Sequence, residues 1–151
     1  MNYYCKNTKF GYLTITEKDN HIIEIKWEER NGGCLTTLLK AAFNQIEEYL
    51  DGKRFHFDLP LLAKGTEFQQ KVWSELSKIP YGETRSYKDI AIAIGNPKAS
   101  RAVGMANNKN PLGIVVPCHR VIGSNGSLTG YAGGLGVKEK LLYLERASKI
   151  H

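Results

Sequence analysis

The stretch NPLGIVVPCHRV (residues 110–121) decides how the rest of the chain is interpreted, because it leads from an apolar run into a lone cysteine at a cationic end. Residues 112–116 carry no charge and are rich in β-branched side chains, which favours a buried, extended segment. Pro117 suits the end of such a segment, since proline lacks an N–H and has a fixed φ. We therefore expect Cys118 at the edge of a strand.

The residues around Cys118 allow two interpretations. A thiol is a nucleophile only as its thiolate, and a nearby His, Arg or Lys lowers its pKa from a reference value of about 8.5. His119 and Arg120 follow directly, but neighbouring side chains of a strand point to opposite faces, so His119 reaches the thiol only where the backbone turns or through a water. The alternative is a buried, inert cysteine, with His119 and Arg120 capping the segment.

Composition and length indicate a folded protein. A chain of 151 residues, 42% of them hydrophobic, can bury a core as one domain or as two small lobes. No apolar run approaches the ~20 residues that a bilayer span requires, and the N-terminus lacks the apolar core of a signal peptide. We therefore expect a cytoplasmic location and no membrane partner.

The positive charge is concentrated in the second half of the chain. Residues 1–65 hold 9 Lys+Arg and 9 Asp+Glu, whereas residues 66–151 hold 12 and 6, so the whole net charge of +6 lies in the second half. Because aromatic residues and glycines are interspersed among these charges, a nucleic acid is a better partner for this half than a membrane surface.

The first half has the pattern of a small sheet followed by a helix. Residues 2–27 alternate in the manner of short strands, with a turn at 18–20, which predicts an antiparallel hairpin. Apolar residues from Leu35 to Leu50 recur at helical spacing, and we assign His21 and the aromatics of this half no chemistry. Residues 51–65 have little periodicity, so we expect one lobe at 1–60 and a second at 66–151.

The second half begins with helices that have clear start signals. Thr66 with Gln69, and Ser86 with Asp89, have the spacing of capping boxes. After the second of these helices, Gly-Asn-Pro at 95–97 makes a tight turn in which Asn is a suitable N-cap, and the next helix is predicted to end near residue 107.

These two short helices have the outline of a helix-turn-helix, although structural helical hairpins share it. The second helix carries small side chains that permit close approach to a groove, and Arg101 is the long side chain on that face. Base-specific reading in the manner of a transcription regulator would need polar side chains, which this helix face lacks.

The last part of the chain combines a loop and a helix. Residues 123–136 are rich in glycine around Tyr131, which suits a loop that closes over a flat ligand, and neither a Walker pattern nor GxGxxG is present. Residues 137–149 are predicted to form the final helix. Glu145 lies beside its apolar stripe, where a solvated surface charge is the ordinary interpretation.

Six motifs together, in order and spacing, closely resemble the O6-alkylguanine-DNA alkyltransferases. They are PYGET (80–84), SY (86–87), RAVG (101–104), NP (110–111), PCHRV (117–121) and YAGG (131–134). The resemblance is strong over 66–148 and covers 1–60 only in length and element order. It implies an α+β fold, with a ribonuclease H-like lobe of small antiparallel sheet and helix before a mostly helical lobe carrying a winged-helix-like helix-turn-helix.

The resemblance also implies an activity. Cys118 would accept the alkyl group from O6 of guanine, and from O4 of thymine, in double-stranded DNA, once per molecule, as a monomer and without a cofactor. In the family the cysteine is activated through a water by the next histidine, here His119, which a glutamate on the last helix orients, here Glu145. Tyr87 would donate to N3 of the leaving base.

Further residues acquire expected roles from the same resemblance. The target base is flipped out of the duplex, and Arg101 would fill the vacated space while the helix enters the minor groove. The other DNA-binding residues would be Ser100, Ala102, Gly104 and the phosphate contact Ser124. Asn110 would link the recognition helix to the active-site segment, and the alkylguanine pocket would be shaped by Val121, Tyr131, Ala132 and Gly133.

Two departures from the family pattern affect the expectations. Many members have serine at the position of Ala132, so a side-chain hydrogen bond to guanine O6 is lost here. Some members bind zinc in the N-terminal lobe, but Cys5, His21 and Cys34 do not form a convincing ligand set, so we predict no metal. The sequence leaves a Cys5–Cys34 disulfide open, although a reducing cytosol disfavours it.

Two other functions remain as alternatives. Alkyltransferase-like proteins bind damaged DNA without accepting the alkyl group, but they generally have tryptophan at the cysteine position, so Cys118 argues against this class. A cysteine hydrolase would need an oxyanion hole and a water path, and nothing in the sequence specifies either.

Overall fold

The computed structural model describes residues 1–148 and has an α+β architecture, which confirms the fold class expected from the sequence. Its elements in chain order are β1 (Asn2–Thr8), β2 (Gly11–Lys18), β3 (His21–Lys26), α1 (Thr37–Leu50), α2 (Glu67–Leu76), β4 (Arg85–Ser86), α3 (Tyr87–Ala93), α4 (Ser100–Asn108), β5 (Val121–Ile122) and α5 (Leu135–Ser148). We call β1–β3 with α1 the N-terminal lobe, and α2 to α5 the C-terminal lobe.

The N-terminal lobe is an antiparallel sheet in the order β1-β2-β3, and α1 packs against it. Asp19 and Asn20 connect β2 and β3 with φ values of 51° and 62°, the left-handed conformations that a tight hairpin requires and that Asp and Asn tolerate. Apolar residues of α1 at helical spacing form the buried interface, so the predicted hairpin and helix are both present.

The outer edge of β3 joins the two lobes. Ile25 N donates to Pro111 O at 2.7 Å, and Gly113 N donates to Ile25 O at 3.3 Å. Farther along the strand, Ile22 forms a parallel bridge with Leu61 of the connecting segment. The edge that would otherwise be open to other chains is therefore covered, and the segment before Cys118 is attached to the sheet.

Both predicted capping boxes are present at the starts of α2 and α3. Thr66 and Ser86 accept from the backbone N–H three residues later, and the side chains of Gln69 and Asp89 accept from the cap N–H in return. These bonds need only residues close in sequence, which is why a local pattern predicts them.

The start of α4 differs from the prediction. Residues 96–99 form a turn in which Ala99 N donates to Asn96 O at 3.0 Å, and the helix begins at Ser100 without a side-chain cap. Proline has the φ required at the second position of a turn as well as at the first position of a helix, so Pro97 fits both. The prediction of Asn96 as the N-cap was therefore wrong, because the helix begins about one turn later.

Residues 112–116 are mostly buried, as expected, but they are not an extended strand. Val115 N donates to Gly113 O and Val116 N to Leu112 O, at 2.8 and 2.9 Å, and Ile114 has φ +72°, an uncommon value for a β-branched residue. A buried turn and a buried strand have the same apolar composition over five residues. Cys118 consequently opens a 3₁₀ turn, Cys118–Arg120, and does not end a strand.

The final helix buries charged residues along with apolar ones. It spans Leu135–Ser148; the predicted end at Lys149 lies outside the described residues. Lys138, Leu141 and Glu145 are all buried on its inner face. Among residues 1–148, none of the helices has the length and apolar character needed to cross a bilayer.

Candidate active site

Cys118 lies at a cavity of about 410 Å³ between the two lobes, with only 5% of its surface exposed. The walls come from the end of β3, from the end of α4 and the residues after it, and from residues 123–136, which we call the glycine-rich segment. The lining includes Ile25, Lys26, Trp27, Asn107, Asn110, Gly113, Tyr131, Ala132 and Gly133. The thiol is thus accessible from a confined space and shielded elsewhere.

Burial raises the pKa of the Cys118 thiol, and Asn110 and the Lys138 ammonium offset this only in part. The side chains that lower it are those of Asn110 and Lys138, whereas one of the two interpretations of the sequence assigned this effect to His119 and Arg120. The 3₁₀ turn directs both side chains to Glu145 instead. The resting thiol is therefore protonated near neutral pH, and it needs a base to become a nucleophile.

Glu145 on α5 is the centre of a buried hydrogen-bond network. His119 Nε2 lies 2.7 Å from its Oε2, and Arg120 donates to both oxygens, from Nε at 2.8 Å and from Nη2 at 2.9 Å. Tyr49 OH and Gly82 N also donate to the carboxylate. Burial raises the pKa of Glu145, but the hydrogen bonds from His119 and Arg120 and the charge of the Arg120 guanidinium outweigh it and bring the pKa to about 2. The solvated-charge interpretation of Glu145 is therefore excluded.

His119 is fully buried, and its two ring nitrogens have different surroundings. Because Nε2 faces a carboxylate, the proton of the neutral ring belongs on Nε2, and Nδ1 has the lone pair. Nδ1 has no hydrogen-bond partner among the described residues. Burial lowers the pKa of His119, which Glu145 offsets only partly, so the imidazole is a neutral base.

Arg120 neutralises this network. Besides its two bonds to Glu145, its Nη1 donates to Ile79 O at 2.7 Å, and its guanidinium lies 5.6 Å from the ring centre of Tyr81. A carboxylate paired in this bidentate way remains ionised in the interior, where an unpaired one would be protonated.

Two asparagines connect α4 to the turn that carries Cys118. Asn110 Nδ2 donates to Val116 O at 2.8 Å, and its Oδ1 accepts from Leu112 N at 3.0 Å. Asn107 Nδ2 donates to Cys118 O at 3.3 Å. A displacement of α4 would therefore be transmitted to the backbone of the reactive residue.

Lys138 is fully buried and holds the glycine-rich segment against β5. Its Nζ donates to Val121 O at 2.6 Å and to Thr129 O at 2.8 Å. Burial lowers its pKa to about 8. We did not predict a role for Lys138, although its spacing of three and seven residues before Leu141 and Glu145 places all three on one helix face.

The predicted DNA-binding residues lie on a different surface from the buried network. Arg101 and Ala102 are exposed on α4, next to half-buried Ser100 and Gly104, and Ser124 is exposed after β5. The face also includes Met105, 70% exposed, which we had not singled out.

Tyr87 links α4 to the glycine-rich segment. A Cβ at Gly104 would lie 3.7 Å from its ring, and its hydroxyl donates to Thr129 O at 2.9 Å.

The predicted pocket residues separate into two groups. Tyr131, Ala132 and Gly133 line the cavity with Cys118. Val121 is fully buried in the hydrophobic core and is not part of that lining. Within residues 1–148, there is no cluster of three or more His, Cys, Asp or Glu side chains able to hold a metal ion.

Two residues of the N-terminal lobe that sequence reasoning left without chemistry belong to the site. Tyr49 contributes to the Glu145 network, and Trp27 lines the cavity. In sequence, Tyr49 belongs to the apolar stripe of α1 and Trp27 ends a strand, so neither pattern distinguishes it from a packing residue.

Comparison with known proteins accounts for both lobes. The family model "6-O-methylguanine DNA methyltransferase, ribonuclease-like domain" matches residues 1–63, and "6-O-methylguanine DNA methyltransferase, DNA binding domain" matches residues 67–147. The constitutive methylated-DNA–protein-cysteine methyltransferase of Bacillus subtilis is 50% identical over 161 aligned positions, covering 98% of each chain. The methylated-DNA–protein-cysteine methyltransferase of Mycolicibacterium paratuberculosis is 58% identical, covering 97% of this chain and 93% of the relative.

A solved structure agrees with the sequence relatives. The Mycobacterium tuberculosis OGT protein in complex with DNA superimposes with a TM-score of 0.88 at 42% identity, covering 97% of this chain and 93% of that one. Because sequence and fold agree over nearly the whole length, the chain belongs to the 6-O-methylguanine DNA methyltransferase family.

Proposed function

We propose that this protein repairs DNA by irreversible transfer of the alkyl group from O6 of guanine, and from O4 of thymine, to Cys118, once per molecule. The observation that carries the proposal is the neutral, buried His119, which directly follows a protonated cysteine. Its Nε2 is held by Glu145, and its Nδ1 has no hydrogen-bond partner within residues 1–148. The relatives named methylated-DNA–protein-cysteine methyltransferase support the same reaction.

The proposed chemistry is a single displacement. His119 Nδ1 takes the thiol proton of Cys118 through a water, the sulfur bonds to the alkyl carbon, and the carbon–O6 bond breaks with its electron pair remaining on the guanine. The departing base gains one proton. Overall, Cys118 loses a proton and gains the alkyl group, and the base loses the alkyl group and gains a proton. Tyr87, whose hydroxyl here donates to Thr129 O, would donate to N3 of the departing base.

The Glu145 network supports this base in two ways. The ionised carboxylate fixes the Nε2 proton of His119, which leaves Nδ1 as the acceptor, and it stabilises the imidazolium that forms after proton transfer. Arg120 keeps the carboxylate ionised without itself contacting the thiol.

DNA is the proposed partner, and α4 its proposed contact. The basic C-terminal half, the exposed Arg101 and the small residues Ala102 and Gly104 fit a helix lying in a minor groove, with Ser100 beside it and Ser124 at a phosphate. The solved DNA complex of the M. tuberculosis relative supports a DNA partner. Arg101 would enter the base stack when the damaged nucleotide is flipped toward Cys118.

The organisation and cellular setting form a further part of the proposal. We assign residues 1–60 to the sheet-and-helix lobe and 66–151 to the DNA-binding and alkyl-acceptor lobe; the last three residues lie outside the described ones. We also propose a cytoplasmic monomer. All three cysteines, Cys5, Cys34 and Cys118, are free thiols in the structure.

The decisive experiment is intact-protein mass spectrometry with peptide mapping, after incubation with a duplex containing one O6-methylguanine. We expect one methyl group per protein, on the peptide that contains Cys118, and none on those with Cys5 or the exposed Cys34. The Cys118→Ser variant and an undamaged duplex are the controls. Tight binding of the damaged duplex without a gain in mass would refute transfer and favour damage recognition alone.

A further inference from the structure

Trp27 brings the N-terminal lobe into the cavity beside Cys118. It directly follows β3, is half-buried, and lines the cavity together with Cys118 and Ala132. Its Nε1 donates to the hydroxyl of Tyr131 at 3.1 Å, a contact between residues of different lobes. The indole is therefore a wall of the space next to the thiol.

The indole packs tightly against the glycine-rich segment. A Cβ added to Gly133 would lie 2.4 Å from Trp27 Cδ1 and 2.8 Å from Tyr131 Cε2, which is closer than real Cβ contacts come. Only glycine fits between these two rings. The indole thus has no free space on the side of Gly133 into which it could retreat.

The backbone that carries Trp27 is also held in place. Ile25, two residues earlier, forms hydrogen bonds with Pro111 O and Gly113 N of the segment that leads to Cys118. Because wall and nucleophile belong to segments bonded to each other, their separation is set by the fold rather than by a mobile loop.

The alkyl group is the part of the substrate that differs between lesions, and it must reach the cavity because Cys118 lines it. Tyr87 and Arg101 lie on α3 and α4 and do not line the cavity. In an in-line displacement the reacting carbon lies between the Cys118 sulfur and O6, so the rest of a larger alkyl group extends sideways into the cavity that Cys118 and Trp27 line. This step rests on the proposed function.

We propose that Trp27 is a specificity-determining residue that limits the size of the alkyl group transferred to Cys118. A methyl group fits beside the indole, whereas a benzyl group must displace a ring held by Tyr131 and by the backbone at Gly133. The N-terminal lobe thereby sets substrate range, in addition to supporting the fold.

The test compares single-turnover rates on two matched duplexes, one with O6-methylguanine and one with O6-benzylguanine. For Trp27→Leu we expect the benzyl-to-methyl rate ratio to rise about tenfold over wild type, because removing part of a pocket wall changes discrimination by this order. Trp27→Phe and Tyr131→Phe should raise it less, the first by shortening the wall and the second by releasing the indole. Tyr12→Leu, an exposed aromatic on β2 outside the cavity, is the matched control.

Each outcome decides the proposal. An unchanged ratio in folded Trp27→Leu overturns it, and a lower ratio overturns it as well, since the indole would then support bulky groups by stacking. If Trp27→Leu does not fold, the two phenylalanine variants decide in the same way. If Cys118 of the wild type is alkylated by neither duplex, the proposed function fails too. If the wild type accepts methyl groups normally but Trp27→Leu leaves the benzyl-to-methyl rate ratio unchanged, only the inference about Trp27 fails.

Discussion

The Tyr49 hydroxyl, on α1 of the N-terminal lobe, donates a hydrogen bond to Oε2 of Glu145 on the last helix. The same oxygen faces His119 Nε2, and the Tyr49 oxygen lies 3.4 Å from that nitrogen. Burial raises the pKa of Tyr49, and the Glu145 charge raises it further, so the phenol keeps its proton and acts as a donor. The first lobe therefore contributes to the network behind Cys118.

We predict that Tyr49→Phe lowers the free energy of unfolding by about 1–2 kcal/mol, because a buried hydrogen bond to a charged acceptor is lost. Denaturant titration measures this. Tyr143→Phe, at a side chain on α5 that is 72% exposed, should change stability by less than about 0.5 kcal/mol. Equal stability of Tyr49→Phe and wild type would show that Tyr49 contributes packing alone.

Because of Glu145, the free energy of unfolding should fall as the solution becomes acidic. Its folded pKa is about 2, below an unfolded value of about 4.3, so its stabilisation is complete above pH about 4.3 and is lost as the pH falls toward 2. We expect wild type to exceed Glu145→Gln in unfolding free energy by roughly 3 kcal/mol at pH 6, and this difference to shrink toward pH 2. Glu139→Gln, exposed on the same helix, should show no such trend. If the difference in unfolding free energy between wild type and Glu145→Gln stays constant with pH, the lowered pKa of Glu145 is contradicted.

The protonation of the His119 imidazole should set the pH dependence of alkyl transfer. Because burial lowers its pKa from the ordinary value of about 6.5, the imidazole stays neutral below that pH. We expect the single-turnover rate to hold between about pH 7.5 and 6.5 and to decline only at lower pH. DNA affinity, measured at each pH, separates binding from chemistry. A midpoint at or above about 6.5 would argue against His119 as the base.

His119 should also make the folded state less stable as the pH falls from 7 to 5. A His that is neutral when folded takes up a proton on unfolding below pH about 6.5, so acidification favours the unfolded chain until the folded pKa is reached. The unfolding free energy of wild type should therefore fall more steeply than that of His119→Gln as the pH drops from 7 to 5.

Asn110→Ala should destabilise the fold by about 2 kcal/mol, since Val116 O and Leu112 N lose their partner in a largely buried segment. Transfer should slow as well, because these bonds hold the backbone before Cys118. Asn108→Ala, two residues away and exposed, is the control for thermal unfolding. Wild-type stability of Asn110→Ala would contradict a structural link.

Arg101→Ala should impair repair of duplex DNA selectively. We expect transfer from an O6-methylguanine duplex to slow by at least about tenfold, because base flipping costs a few kcal/mol that the inserted side chain offsets. Reaction with free O6-benzylguanine base, which needs no flipping, should be unaffected. Lys98→Ala, exposed just before α4, controls for the loss of one positive charge. Equal slowing with both substrates would place Arg101 in chemistry rather than in flipping.

The sequence by itself determined the features that depend on nearby residues. The capping boxes of Thr66 and Ser86 form within four residues, and the hairpin turn at Asp19 and Asn20 follows from the conformations these residues tolerate. The motif order around Cys118 sufficed to predict the family, the fold class and the residues expected at the site.

Only the tertiary structure decided the environment of these residues. Residues 112–116 form turns and bond to β3 of the other lobe through Gly113. Burial in the packed fold raises the pKa of Cys118, while His119 and Arg120 turn toward Glu145. Tyr49 and Trp27 reach the site only when the lobes pack together. Burial and long-range hydrogen bonds depend on chain segments far apart in sequence, and a local pattern of side chains does not contain that information.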